Sequence, residues 1–148
     1  MKKAILAMFN GLSKKMILLC LAVLFLLYIC ESVYIGAKVF AMVKGSYATY
    51  GGDNTYADMV SDEIYRKMCY RNGYLISSQG NTSVKEINRL LFPLACHWIT
   101  GGKATYWYTY EIYDDSNELV GGSWNIPVTI TVEFSGSRLI VTDYYEAP

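Results

Sequence analysis

Residues 124–134 read WNIPVTITVEF. Trp124, Ile126, Val128, Ile130, Val132 and Phe134 alternate with Asn125, Pro127, Thr129, Thr131 and Glu133, and a period of two is that of a strand with one buried face. Pro127 has no N–H to give to a ladder, so it calls for an unpaired side, a bulge or an edge position. Upstream, Asp114-Asp115-Ser116-Asn117 has the chemistry of a turn; downstream, Ser135-Gly136-Ser137 makes another and leads into RLIVTDYY at 138–145 as a last strand. Further back, LACHWIT at 94–100, Gly101-Gly102 and KATYWYTYEIY at 103–113 predict a tight hairpin, with the glycines supplying positive φ. The C-terminal half therefore reads as a curved antiparallel meander of three to four strands.

Two helices are expected before it. Met59, Val60, Ile64, Met68 and Cys69 recur at helical spacing between Tyr56 and Tyr70, with Asp58, Asp62, Glu63, Arg66 and Lys67 among them. Asn72-Gly73 should stop that helix, and SSQGN at 77–81 reads as a loop. Ser83-Val84-Lys85-Glu86 fits a capping box, Val84, Ile87, Leu90 and Leu91 make a stripe, and Pro93 should end the second helix. The fold class is α+β: an N-terminal transmembrane helix, then two helices packed on the sheet.

The transmembrane assignment rests on MILLCLAVLFLLYIC at 16–30, apolar or aromatic throughout, resumed after Glu31 and Ser32 by Val33, Tyr34, Ile35, Gly36 and Ala37. A bilayer core needs about 20 mainly apolar helical residues, because no water is present there to pair an open backbone. Lys2, Lys3, Lys14 and Lys15 precede the run, against Lys38 and Lys44 beyond it, which favours a cytoplasmic N-terminus and a domain outside the cytoplasm. The expected organisation is a cytoplasmic segment at 1–15, an anchor in the lipid bilayer at 16–43, a linker at 44–55 where GSYATYGGDNT carries no period, and an extracytoplasmic α+β domain at 56–148. A cleaved signal peptide is the competing reading; its cleavage candidate is Val39-Phe40-Ala41, and it would release a secreted soluble domain.

Charge excludes one class of partner. The 13 basic and 13 acidic residues balance overall, but from Gly45 onward twelve acids face seven bases. Phosphate-backbone binding needs clustered Lys and Arg, so nucleic acid is not expected.

No catalytic set is evident, and neither a metal site nor a cofactor is expected. His97 is the only histidine. A Cys–His pair through Cys69 or Cys96 is conceivable, but adjacent strand residues such as Cys96 and His97 point to opposite faces. Cys69 and Cys96 could form a disulfide in an oxidising exterior, with two buried thiols as the alternative, whereas Cys20 and Cys30 lie in the apolar run. Asp62-Glu63 and Asp114-Asp115 sit where solvated helix faces and turns carry acids, and neither has the density of a calcium loop. Asn81-Thr82-Ser83 is a glycosylation sequon, relevant only to a eukaryotic secretory route. The aromatics Tyr106, Trp107, Tyr108, Tyr110 and Tyr113 fall on both faces of one strand: an exposed set would be a platform for a glycan, peptide or envelope protein, and a covered set would be packing.

The order of helices then meander behind a single anchor, with YDDSNELV at 113–120 through VTITVEF at 128–134, resembles small bacterial membrane-anchored NTF2-like or cystatin-like domains. That resemblance implies a cone-shaped pocket in some members and mere binding or scaffolding in many. The expected function is a membrane-tethered binding or assembly module. The alternative, a small pocketed hydrolase or isomerase of NTF2-like type, would need Asp143 or Glu111 aimed into an apolar cavity with a raised pKa.

Overall fold

The structure is a computed structural model that describes residues 14–49, 51–69 and 85–147. The element order is α1 (Lys14–Thr49), α2 (Asp62–Lys67), β1 (Lys85–Leu90), β2 (Leu94–Trp98), β3 (Gly101–Tyr113), β4 (Leu119–Ser135) and β5 (Arg138–Glu146). The Asn72-Gly73 stop, the loop at 77–81, the Ser83 cap and the sequon lie outside the described residues.

Contacts divide the chain into two units, 1–31 and 32–148. In the first, the described part of α1 exposes its apolar side chains on every face, with Leu18, Leu21, Leu24, Phe25 and Leu27 all open. A helix with no polar face has no reason to sit in water, and α1 is long and apolar enough to cross a membrane.

The second unit holds the rest of α1 and the sheet. From Ile35 the helix changes character: Ile35, Gly36, Val39, Met42, Val43 and Ser46 are buried, the i, i+1, i+4, i+7, i+8, i+11 stripe of a helix laid on a core. That stripe packs with Ala104, Tyr106, Tyr108, Tyr110 and Ile112 of β3, Val128, Ile130 and Val132 of β4, and Leu139 and Val141 of β5. The expected linker is therefore corrected in its first half. α1 runs on through Gly45 to Thr49, because the buried Ser46 hydroxyl donates to the Tyr65 carbonyl and Gly45 leaves room for the Tyr65 hydroxyl and the Tyr56 ring, which a Cβ would meet at 2.8 and 3.0 Å. Gly51, at φ 67°, turns the chain away, and its N–H closes on the Ser46 carbonyl at 2.8 Å.

The helix expected over 56–70 is shorter than its periodicity suggests: turns lead into α2, capped by the Ser61 side chain accepting from the Ile64 N–H. Where a helix is expected from Ser83 to Pro93, the described residues Lys85–Leu90 form a strand instead. β1 pairs antiparallel with β3, from Lys85 opposite Tyr113 to Leu90 opposite Tyr108; a row of backbone partners along β3 outweighs a helical spacing that a six-residue strand mimics. Among the described residues, one long helix and the short α2, rather than two helices of the expected kind, accompany the sheet.

Among the described residues the sheet has five strands rather than the expected three to four, in the order β1-β3-β4-β5, with β2 pairing β3 beyond the end of β1. β1 and β2 thus make one edge, interrupted at Leu91–Pro93. The hairpin expected around 94–113 exists, but its glycines act differently. Gly101 and Gly102 lie inside β3, and a Cβ there would meet the Val132 carbonyl oxygen at 2.4 Å or the Cys96 carbonyl oxygen at 2.8 Å, so they permit close backbone approach rather than a positive-φ turn. The 114–118 turn is as expected: Asp114 Oδ1 accepts from the Ser116 and Glu118 N–H groups, each at 2.9 Å.

The strands cross the helix. Gly36 meets the β1–β2 edge, where a Cβ would lie 2.8 Å from the Pro93 oxygen and 3.0 Å from the Phe92 ring. Nine residues on, Gly45 meets Tyr56 and Tyr65, and neighbouring Met59 accepts at its carbonyl from Val141 of β5 at 2.7 Å. Nine helical residues rise about 13.5 Å, and three strand spacings make about 14 Å. The β1–β2 edge therefore lies level with Gly36, and β5 level with Gly45.

Candidate binding face

The helix covers one face of the sheet, and among the described residues no element covers the other. β3 divides its aromatics between them. Tyr106, Tyr108 and Tyr110 are buried in the core, while Trp107 and Tyr113 are only half-buried. Of the five aromatics expected as a platform, three are packing and two are surface.

A third surface aromatic joins them through a break in the alternation. The β3–β4 register shifts between Tyr108 opposite Ile126 and Tyr110 opposite Ser123. Two residues, Trp124 and Asn125, thus face Thr109 alone, a β-bulge that reverses which side chains point out. Asn125 takes φ 50°, a left-handed value that Asn tolerates better than most residues, and its N–H donates to Thr109 Oγ1 at 3.1 Å. Trp124, expected on the buried face, is consequently 49% exposed. Its ring occupies the space above Gly122, where a Cβ would lie 3.0 Å from it. The signal in the sequence was Asn125 itself, one residue before the run of clean alternation begins.

Glu111 organises this end of the face. It accepts from Trp124 Nε1 at Oε1, 2.9 Å, and from the Tyr113 hydroxyl at Oε2, 3.0 Å. These two donors, chiefly Trp124, with Arg89 nearby, hold its pKa below the ordinary carboxylate value, and the Tyr113 hydroxyl is raised in return, chiefly by Glu111. An ionised carboxylate offers about four acceptor positions, so Glu111 retains capacity for a ligand hydroxyl. It is poorly suited to give up a proton near neutral pH, the opposite of what the pocketed-enzyme alternative asks of it. Asp143, the other acid that reading named, is exposed on β5. Beside the aromatic end, Thr105 and Thr129 share a hydrogen bond at 3.1 Å and Thr131 lies opposite Asp143 in register, which continues the face as a row of hydroxyls.

On the helix side, Glu146 ties β3 to β5 by accepting from the Tyr108 and Tyr144 hydroxyls, each at 2.8 Å, and burial raises the Tyr144 pKa. Burial, reinforced by the Asp53 carboxylate, pushes Tyr65 up to about 12. Both hydroxyls lie inside or at the rim of the core.

Cys69 is buried just past α2, Cys96 is exposed on β2, and no disulfide joins them. His97 lies opposite Gly102, on the other face of β2 from Cys96. Among the described residues no three His, Cys, Asp or Glu side chains gather as metal ligands. Compared with family models, curated proteins and solved structures, the chain matches none. None of these comparisons bears on the expected likeness to NTF2-like or cystatin-like domains.

Proposed function

We propose that the chain is a single-pass, membrane-tethered binding module: the apolar first half of α1 spans the bilayer with its N-terminus in the cytoplasm, and the sheet domain, displayed outside, binds a glycan of the envelope on its open face. The observation that carries the binding half is the ionised Glu111 held between Trp124 and Tyr113, with Trp107 further along β3, on the face that α1 leaves uncovered. Flat rings stack on the C–H faces of sugars, and a fixed carboxylate with neighbouring threonines accepts and donates to their hydroxyls. A single exposed ring needs no explanation, but an indole braced by a carboxylate over a glycine is a prepared surface.

The test is titration of the full chain in detergent micelles with soluble oligosaccharides of envelope polysaccharides, read by tryptophan fluorescence. A saturable change in the native chain, lost in Trp124→Ala with the fold retained by circular dichroism, supports the reading. No saturable change with any oligosaccharide, or equal binding by Trp124→Ala, refutes it. Intact-mass measurement of the mature protein tests the tether, because loss of about the first forty residues, as signal cleavage would produce, removes it.

A further inference from the structure

We infer that the β1–β2 edge of the sheet is a second membrane-contacting element, seated in the headgroup boundary of the same bilayer that α1 enters. The inference rests on the tether reading and adds a lipid-contact site to it. The apolar run from Met16 to Ala37 covers 22 residues, about 33 Å of helix against a hydrocarbon core of about 30 Å, so the turn around Ile35–Ala37 falls at the boundary. The Phe92-Pro93 connection touches the helix at that turn: a Cβ on Gly36 would meet both residues, and the Phe92 ring stands 5.7 Å from that of Phe40.

The edge is built for such a place. Leu91, Phe92, Leu94, Trp98 and Ile99 are all exposed, Leu94 at 66% and Ile99 at 97%. The opposite edge, at the level of Gly45, exposes Arg138, Thr142, Asp143, Tyr145 and Glu146 on β5, one aromatic among polar groups. Five large apolar side chains exposed on the edge level with the end of the apolar run, against one aromatic on the opposite edge, are explained by lipid and by no contact among the described residues. Lys38 and Lys44 reach over the Tyr34 and Phe40 rings, at 5.8 and 4.7 Å from the ring centres. Amphipathic side chains of this kind keep their stems in the boundary and their charge in the headgroups.

The occupant is therefore the outer surface of the bilayer. The experiment is site-directed spin labelling of the full chain, its four native cysteines replaced, in phosphatidylcholine–phosphatidylglycerol vesicles. Labels go at Leu94→Cys on the edge, Leu24→Cys in the apolar run and Asp115→Cys in the β3–β4 turn, and each is scored by relaxation with oxygen, which partitions into lipid, and with a water-soluble nickel chelate. The expected result is an oxygen-to-nickel ratio highest at position 24, lowest at 115, and severalfold above the 115 value at 94. If 24 is in lipid while 94 matches 115, the edge is in water and the inference is overturned with the tether intact. If 94 is shielded from both reagents, protein covers the edge and the inference is equally overturned. If 24 itself matches 115, the tether reading fails and takes the inference with it.

Discussion

Replacing Met42 by Ala should unfold the sheet domain at a lower temperature, although Met42 belongs to a helix whose first half looks like pure membrane anchor. Met42 is completely buried on the α1 stripe against β3, β4 and β5, whereas Leu24, about five turns further toward the N-terminus, is 61% exposed. Truncating a fully buried Met removes its transfer free energy and leaves a cavity, a loss of about 2–5 kcal/mol. For a domain of this size, each kcal/mol moves Tm by about 4–8 °C, so a central loss of about 3 kcal/mol predicts a fall of about 10–25 °C. Leu24→Ala takes nothing from that core and should leave the transition where it was. The assay is thermal unfolding of the full chain in detergent micelles, followed by near-ultraviolet circular dichroism of the Tyr- and Trp-rich sheet. Equal transitions for Met42→Ala and the native chain, or an equal fall in Leu24→Ala, would refute the division of α1 into a core half and an apolar, exposed half.

Gly36→Ala sets a helix gain of about 1 kcal/mol against an overpacking loss of about 1–3 kcal/mol from the clash with the Pro93 oxygen; a net fall in stability is expected, deeper for Gly36→Leu, and a more stable Gly36→Leu chain would contradict the close approach. Because the folded Glu111 carboxyl is held below its ordinary 4.5, its bonds to Trp124 and Tyr113 are intact above that pH and lost as pH falls through the lower folded value. Trp124 emission, read in a chain carrying Trp98→Phe and Trp107→Phe, should therefore shift with a midpoint below 4.5, and Glu111→Gln should abolish the shift. Tyr65 runs the other way, since its raised pKa favours the neutral hydroxyl: its contribution is complete below the ordinary value of 10 and lost as pH climbs toward about 12. Chemical denaturation at a series of alkaline pH values should show that loss, reduced but not removed by Tyr65→Phe, because Tyr144 is raised as well.

The part of the fold legible from sequence is the part in which one face alone decides. Residues 126–134 alternate because β4 buries Val128, Ile130 and Val132 against α1, and the Asp114 turn is written in a side chain that accepts from the backbone two and four residues on. The failures share a cause, namely pairing that local spacing cannot see. KEINRL at 85–90 has no clean alternation and carries a capping-box text at its start, yet its partner strand decides its state. The end of α1 reads as a linker by composition, but Gly45 and Ser46 are small because Tyr65 packs on them. The candidate face was half visible: the aromatic density of β3 marked the region, while Trp124 was hidden by a one-residue bulge that reversed its direction.

Accessibility of the β3–β4 turn in living cells tests the central claim most directly. In an Asp115→Cys chain with Cys96→Ser, a membrane-impermeant maleimide should label residue 115 in intact cells as fully as after lysis. Labelling that appears only once the membrane is broken would place the sheet domain inside the cell and contradict the account.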